Sequence, residues 1–241
     1  MIRTAKYTDI GGRKTNEDSC GIFESGKMVC AAVADGLGGH GGGDKASSMA
    51  IDLLGKQFFK AQTDQPAAFC DWFQTINESV YQAQTTDCRM KTTLAALWTN
   101  GSRYFQAHVG DTRIYHFINE HLDSVTFDHS VSQMAVIRGE ITQQEIRHHV
   151  DRGRLLRALG KEDEVKVEVS GPTDITGGQH AFLLCTDGFW EYVLEDDMEE
   201  TLREAEFPEQ WLGLMHARLC KRVGDHNDNN TAVAIWINGG C

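Results

Sequence analysis

The chain has 241 residues, is 41% hydrophobic and 24% charged, and carries a formal net charge of −12. That length suits one large domain with a sizeable core, and the acidity argues against a nucleic-acid partner. No apolar run approaches the roughly 18 residues of a membrane span, and Met1 to Asp9 lacks the apolar centre of a signal peptide. The cysteines (Cys20, Cys30, Cys70, Cys88, Cys185, Cys220 and Cys241) include no CxxC pair. Cys30 and Cys185 fall inside apolar runs, where a thiol acts as a small core residue. A reduced, cytoplasmic setting is the expectation, without a zinc or disulfide framework.

Ile2 to Thr8 reads as a strand, broken by Gly11-Gly12 and followed by the polar cluster Arg13 to Asp18. Cys20 to Glu24 and Met28 to Ala34 read as a hairpin turning at Ser25-Gly26-Lys27. The second run enters Asp35 and a loop holding Gly36, Gly38, Gly39, Gly41, Gly42 and Gly43. Such a loop is either a tight strand-to-helix turn or a place where a ligand approaches the backbone. It lacks the Gly-Lys-Ser/Thr ending of a nucleotide P-loop. A helix from about Asp44 to Lys60 puts Ala46, Ala50, Leu53, Leu54 and Phe58 on one face. A second helix after Pro66 spaces Phe69, Phe73, Ile76 and Val80 for packing against the first.

Thr93 to Trp98, Tyr104 to Val109 and Thr112 to Phe117 read as an antiparallel meander with turns at Asn100-Gly101-Ser102 and Gly110-Asp111. Val131 to Arg138 is a short helix, and Thr142 to Glu145 is a capping box that starts another near Gln143. His148-His149 then sits at a helix end, as capping or solvated imidazoles or as metal ligands. Arg152, Arg154 and Arg157 form a basic patch, either a solvated surface or a contact for an anionic substrate. Val165 to Val169 alternates as a strand, and Gly177-Gly178 marks a turn. His180 to Cys185 is a buried strand leading to Thr186-Asp187-Gly188, with a helical segment from Trp190. Pro208 opens a helix carrying Trp211, Met215 and Leu219. A polar loop, Asp225 to Asn230, precedes a final strand, Ala232 to Ile237. No repeat or linker divides the chain, so residues 1–241 read as one domain.

Several acids fall at strand ends. Asp35 and Asp187 each follow an apolar run and precede glycine, Asp111 sits in a turn, and Asp228 stands before the last strand. Singly these are turn residues. Clustered, they repel one another unless cations bind, and hard carboxylate oxygens suit magnesium or manganese.

Arg13-x-x-x-Glu17-Asp18, Ala34-Asp35-Gly36-x-Gly38-Gly39, Thr92-Thr93, Val109-Gly110-Asp111-Thr112-Arg113, Asp128-His129-Ser130, Arg157-Ala158-Leu159-Gly160, Thr186-Asp187-Gly188 and Asp228-Asn229-x-Thr231 occur in this order. Together they resemble the metal-dependent protein phosphatases, the protein phosphatase 2C family, in its compact bacterial form. The resemblance covers almost the whole chain. It implies an α+β, four-layer αββα sandwich, with two antiparallel sheets face to face and helices on both outer sides. It implies a serine/threonine phosphatase acting on phosphoproteins and opposing a bacterial serine/threonine kinase, cytoplasmic and monomeric.

The same resemblance implies two manganese or magnesium ions, with a third in some bacterial members. Asp35 would bridge the two, Asp187 and Asp228 would complete the first site, and Glu17 and the Gly36 carbonyl the second. Asp111 and Asp187 match the third. Asp18 would orient water or a ligand, and Arg13 would grip the phosphoryl oxygens. A water shared by the ions would attack phosphorus directly, with no protein nucleophile. Leu37 departs from animal members, which carry a histidine proposed as general acid there. His40, nearby, reads as a loop hydrogen-bonding residue or an acid. Residues 132–154 correspond to the family's flap beside the active site. Alternatives are a pseudophosphatase that binds without turnover and a hydrolase of small phosphate esters.

Overall fold

Strand β1 (Ile2–Asp9) pairs along its whole length with β11 (Asn230–Asn238), joining the two ends of the chain. The computed structural model describes residues 1–38, 41–61, 65–224 and 226–238. His40 and Asp225 lie outside the described residues, as does Gly39. Beyond β11 the first sheet continues through β10 (Gln179–Cys185) and β7 (Arg113–Ile118) to β8 (His121–Val125). The second sheet runs β2 (Asp18–Ser25), β3 (Met28–Leu37), β5 (Leu94–Thr99), β6 (Arg103–Val109) and β9 (Glu168–Asp174). The two-residue β4 (Lys91–Thr92) pairs with the end of β3. All pairings are antiparallel.

Three apolar clusters define four layers. Val33, Leu97, Phe182, Leu184, Val233 and Ile235 meet between the sheets. Helices α1 (Gly43–Ala61) and α2 (Ala67–Gln82) cover the second sheet through Ala50, Leu54, Phe58, Phe69 and Phe73. Helices α5 (Glu195–Glu204) and α6 (Pro208–Cys220), with the short α3 (Val131–Ile137) and α4 (Asp187–Trp190), cover the first through Met198, Trp211, Met215, Val136 and Trp190. Burying each large side chain contributes about 1.5–3 kcal/mol. The expected αββα sandwich is therefore the observed one. No helix among the described residues is long and apolar enough to cross a membrane.

Four local expectations are corrected. The central meander is not one sheet: β6 belongs to the second sheet and β7 to the first, so Gly110-Asp111 is a crossing between sheets. Sequence alternation marks a strand without naming the sheet it joins. Asp35 lies inside β3, which continues to Leu37 because Gly36 and Leu37 pair with β4. The strand expected at Val165 begins at Glu168, since Val165 and Val167 pack on the helix-covered cluster before pairing starts. The helix expected near Gln143 is a single 3-10 turn, Gln144–His148. Glu145 does reach back to the Thr142 amide, at 2.6 Å. Strand β8, not foreseen, turns from β7 through Asn119 and Glu120, both at positive φ.

Candidate active site

The acids converge because their strands end on one side of the sandwich. In the second sheet Asp18 of β2 faces Asp35 of β3 as a register pair. In the first sheet Asp187 follows β10 and Asp228 precedes β11, its neighbour. A cleft of about 440 Å³ opens between the two sheets' ends. It is lined by Arg13, Glu17, Asp35, Gly36, Asp187 and Asp228, with Lys14, Thr15, Leu37, Gly38 and Asn229. Of the residues singled out in the sequence, Asp18 and Asp111 stand behind this wall, buried at 8% and 5% exposure.

Local bonds hold the backbone that carries these acids. The Asp35 amide donates to Thr93 Oγ1 at 2.9 Å, and Thr92 Oγ1 donates to the Asp35 carbonyl at 2.9 Å. Thr112 Oγ1 lies 2.6 Å from Thr93 Oγ1, linking the crossing loop to β3. Thr186 Oγ1 donates to Asp18 Oδ2 at 2.8 Å across the sheets. Trp190 Nε1 donates to the Asp111 carbonyl at 3.0 Å. Its ring lies under the Arg113 guanidinium, 3.5 Å from the centroid. Arg113 makes a buried two-pronged bond to Asp128, 2.8 Å on each arm. The first turn of α1 comes so close that a Cβ on Gly36 would collide with the backbones of Gly43 and Glu17. Only glycine permits that approach.

Burial and mutual repulsion dominate the electrostatics. Burial, with Glu191 and Asp228 nearby, pushes Asp187 up to about 7. Asp18 is likewise pushed up to about 7 by burial. Asp35 and Asp111 are held well above the usual carboxylate range by burial and then by the charge of Asp187. Glu17 is raised by burial and then by Asp44. Arg13 Nη2 bonds Asp228 Oδ2 at 2.6 Å. A set of same-sign oxygen donors gathered in one cleft and carrying excess protons fits hard divalent cations.

Residues 132–154 form an arm pinned at its base by pairing of Ser130 with Leu155. Val150, Arg152 and Gly153 border a second recess beside Arg13, Asp187 and Asp228. The basic patch is internally paired: Arg152 with Glu191 at 2.6 Å, Arg154 with Asp151 at 3.1 Å, and Arg157 beside His129 at 3.0 Å. His148 closes the 3-10 turn and His149 follows it, as a helix-end placement requires.

Among the described residues, His108, His129 and Glu168 also bring donor atoms within 4.8 Å of one another. Proton placement argues against a metal there. His129 Nδ1 accepts from the Gly110 amide, so its neutral ring carries the proton on Nε2, facing Glu168 at 3.2 Å. The Arg157 guanidinium, 3.0 Å from that nitrogen, adds a positive charge that repels a second cation there. The two histidine rings stack at 8°, which aims their in-plane lone pairs in parallel planes.

A two-sheet sandwich whose strand ends gather carboxylates in one cleft has the donor set of a divalent-cation site. The family description "Protein phosphatase 2C" matches residues 9–226, and the chain belongs to that family. The serine/threonine phosphatase stp of Listeria innocua is 37% identical over 206 residues, covering 81% of each chain. The S. agalactiae serine/threonine phosphatase structure superposes with a TM-score of 0.84 at 25% identity, covering 99% of this chain and 100% of that one. The catalytic domain of PstP in complex with two manganese ions matches at 0.76 and 29% identity, covering 98% and 99%. The protein is accordingly a serine/threonine protein phosphatase of a metal-dependent family, with phosphoproteins as its substrate class.

Asn229 and Thr92-Thr93 stand in the sequence motifs with no task legible there, and the roles of Thr186 and Trp190 emerge only from the bonds above. The signal was present in part: polar residues flank buried strands where apolar ones are the rule.

Proposed function

We propose that Asp35, Asp187 and Asp228 hold one divalent ion, and that Asp35, Glu17 and the Gly36 carbonyl hold a second. Asp111 with Asp187 offers a third position. Manganese or magnesium is the ion that oxygen donors of this kind take. The observation that carries the reading is the meeting of Glu17, Asp35, Asp187, Asp228 and Arg13 in one cleft, although they span the sequence from residue 13 to 228. When bound, the ions supply Lewis acidity and a water activated near neutral pH.

The chain's own residues do the rest. Arg13, at the mouth beside Asp228, turns its planar fork onto two phosphoryl oxygens and orients them for in-line attack. Asp18, fixed by Thr186, stabilises the position of Asp35 and the waters around it. Leu37 holds no proton, so the departing serine or threonine oxygen takes one from water. Cys30 and Cys185 have thiols pushed far up by burial and are unsuited as nucleophiles. The substrates are phosphoserine and phosphothreonine proteins, including targets of an opposing serine/threonine kinase. The enzyme works in the cytoplasm, as a monomer built on one catalytic domain, residues 1–241, with 132–154 as its flap.

The test is hydrolysis of a phosphothreonine peptide in EDTA, magnesium or manganese, with the intact protein and Asp187→Asn. Turnover is expected only with a divalent ion, and to fall roughly a thousandfold in the variant. Folded protein that turns over nothing with any divalent ion would overturn the reading.

A further inference from the structure

The loop of residues 10–17, between β1 and β2, carries both Arg13 and Glu17 and crosses from one sheet to the other. It has no helix or strand of its own, yet Arg13 and Glu17 must face Asp228 and Asp35 with little freedom. The Gly12 amide donates to the Asn227 carbonyl at 3.0 Å, and Gly11 turns at a φ of +58° against the Asp228 backbone. Those contacts hold the front of the loop. At the back, the Glu17 carbonyl accepts from the Gly36 amide at 3.1 Å and from Ser47 Oγ, and Asn16 Nδ2 donates to Thr8 Oγ1 at 2.9 Å; one further side chain ties both ends of the loop to the start of β11.

Asn229 is 5% exposed and sits on the cleft wall beside Asp228. Its Nδ2 donates to the Ile10 carbonyl at 2.8 Å and the Thr15 carbonyl at 3.1 Å. Its Oδ1 accepts from the Glu17 amide at 2.8 Å. Two carbonyls can only accept and one amide can only donate, so the orientation of this carboxamide is fixed by its partners. Its own backbone amide donates to Asp228 Oδ1 at 2.8 Å. One residue thus ties the start and end of the loop to β11 and steadies the neighbouring carboxylate. No other side chain type of that size offers two donors and an acceptor; aspartate lacks the donors, and leucine lacks everything.

We infer that Asn229 is a positioning residue, which sets Arg13 and Glu17 against the carboxylates before an ion or a substrate arrives. The inference rests on the reading of the cleft given under the proposed function. Groups that orient metal ligands from behind typically change metal affinity about 10–100-fold when removed. A loop set 1 Å out of place also loses substrate orientation.

The experiment compares the wild type with Asn229→Ala and Asn229→Asp, the latter keeping the acceptor for Glu17 and losing the donors to Ile10 and Thr15. Manganese binding is measured by calorimetry without substrate, and amide exchange by mass spectrometry on the peptide containing Glu17. Phosphothreonine-peptide kinetics and the thermal midpoint complete the set. Asn229→Ala is expected to bind manganese about tenfold more weakly or worse, to raise KM similarly, and to exchange the Glu17 amide faster. At saturating ion and substrate, kcat should fall by a smaller factor than KM rises. Asn229→Asp should retain protection at Glu17 yet still raise KM. Unchanged manganese affinity and unchanged KM, with only a lower midpoint or a smaller active fraction, would overturn the positioning role. Should Asn229→Ala fail to fold, Asn229→Asp carries the same test. A wild type that neither binds manganese nor turns over peptide would sink the reading of the cleft instead, whereas unaltered Glu17 exchange in Asn229→Ala would sink the clamp alone.

Discussion

The gap between the sheets holds ionisable clusters at both ends, and they are built on opposite rules. At one end Asp18, Asp35, Asp111 and Asp187 share one sign, and burial, together with neighbouring carboxylates, raises the proton affinity of each. At the other, His116, His180 and Tyr104 form a chain in which each donor meets an acceptor. His180 Nε2 donates to the Gly177 carbonyl at 3.3 Å, so its Nδ1 accepts from His116 Nε2 at 3.0 Å. His116 Nδ1 then accepts from the Tyr104 hydroxyl at 3.4 Å. Phe182 stacks on His116 at 3°. The histidine end is complete without a ligand, and the carboxylate end is not. Buried polar groups that satisfy one another serve the fold, whereas buried groups of one sign serve something that arrives later.

The comparison breaks most sharply at Asp35. Asp35→Asn should cost about 4 kcal/mol of transition-state stabilisation, roughly a thousandfold in turnover. Yet calorimetry in EDTA should find its thermal midpoint no lower than wild type, because one repelling carboxylate is gone. A marked loss of stability would place Asp35 with the structural groups. Next comes Arg13→Ala, with kcat/KM for the phosphopeptide expected to fall about a hundredfold and manganese binding barely altered. An unchanged kcat/KM would remove Arg13 from phosphate recognition.

The histidine end should answer in the reverse sense. His180→Ala leaves His116 Nε2 without its acceptor and should destabilise the fold by about 2 kcal/mol in urea titrations, with the manganese requirement unchanged. The smallest effect is on pH. Burial, and then repulsion from His180, lower His116 to about 4, against the pull of Asp123. The unfolded chain protonates His116 near its ordinary 6.5, before the folded protein does. Its contribution to stability is therefore present above about pH 6.5 and declines as pH falls toward about 4. His116→Phe should flatten that part of the stability profile; an unaltered slope would assign it to other groups.

Much of this was legible in the sequence where the pattern is local. The apolar faces of α1, α2 and α6 follow from 3.6-residue spacing, and the strands that end near Asp35 and Asp187 follow from their apolar runs. The motif order points to the sandwich and to Arg13, Glu17, Asp35, Gly36, Asp187 and Asp228 on the cleft wall, though not to Lys14 or Thr15. What spacing did not carry was partnership. Gly110-Asp111 reads as a hairpin turn, and only the pairing of β7 with β10 reveals it as a passage between sheets. β8 alternates weakly, with His121, Asp123 and Ser124 exposed, so its pattern is that of a loop. The basic trio of Arg152, Arg154 and Arg157 is a patch in sequence and three separate attachments in space. Asn229 is one polar letter beside Asp228 until its three bonds are traced to residues more than 200 positions away.

The position of β11 has a consequence for the protein's birth. This strand is made after every other element named above, yet it lies between β1 and β10 and follows directly on Asp228. While the ribosome is still short of it, β1 has no partner in its sheet, and the loop bearing Arg13 has neither Asp228 to bond nor Asn229 to hold it. Contacts of such long range close slowly and late. A chain that stops short of Asp228 therefore lacks both the pairing partner of β1 and the bonds that fix the loop between β1 and β2.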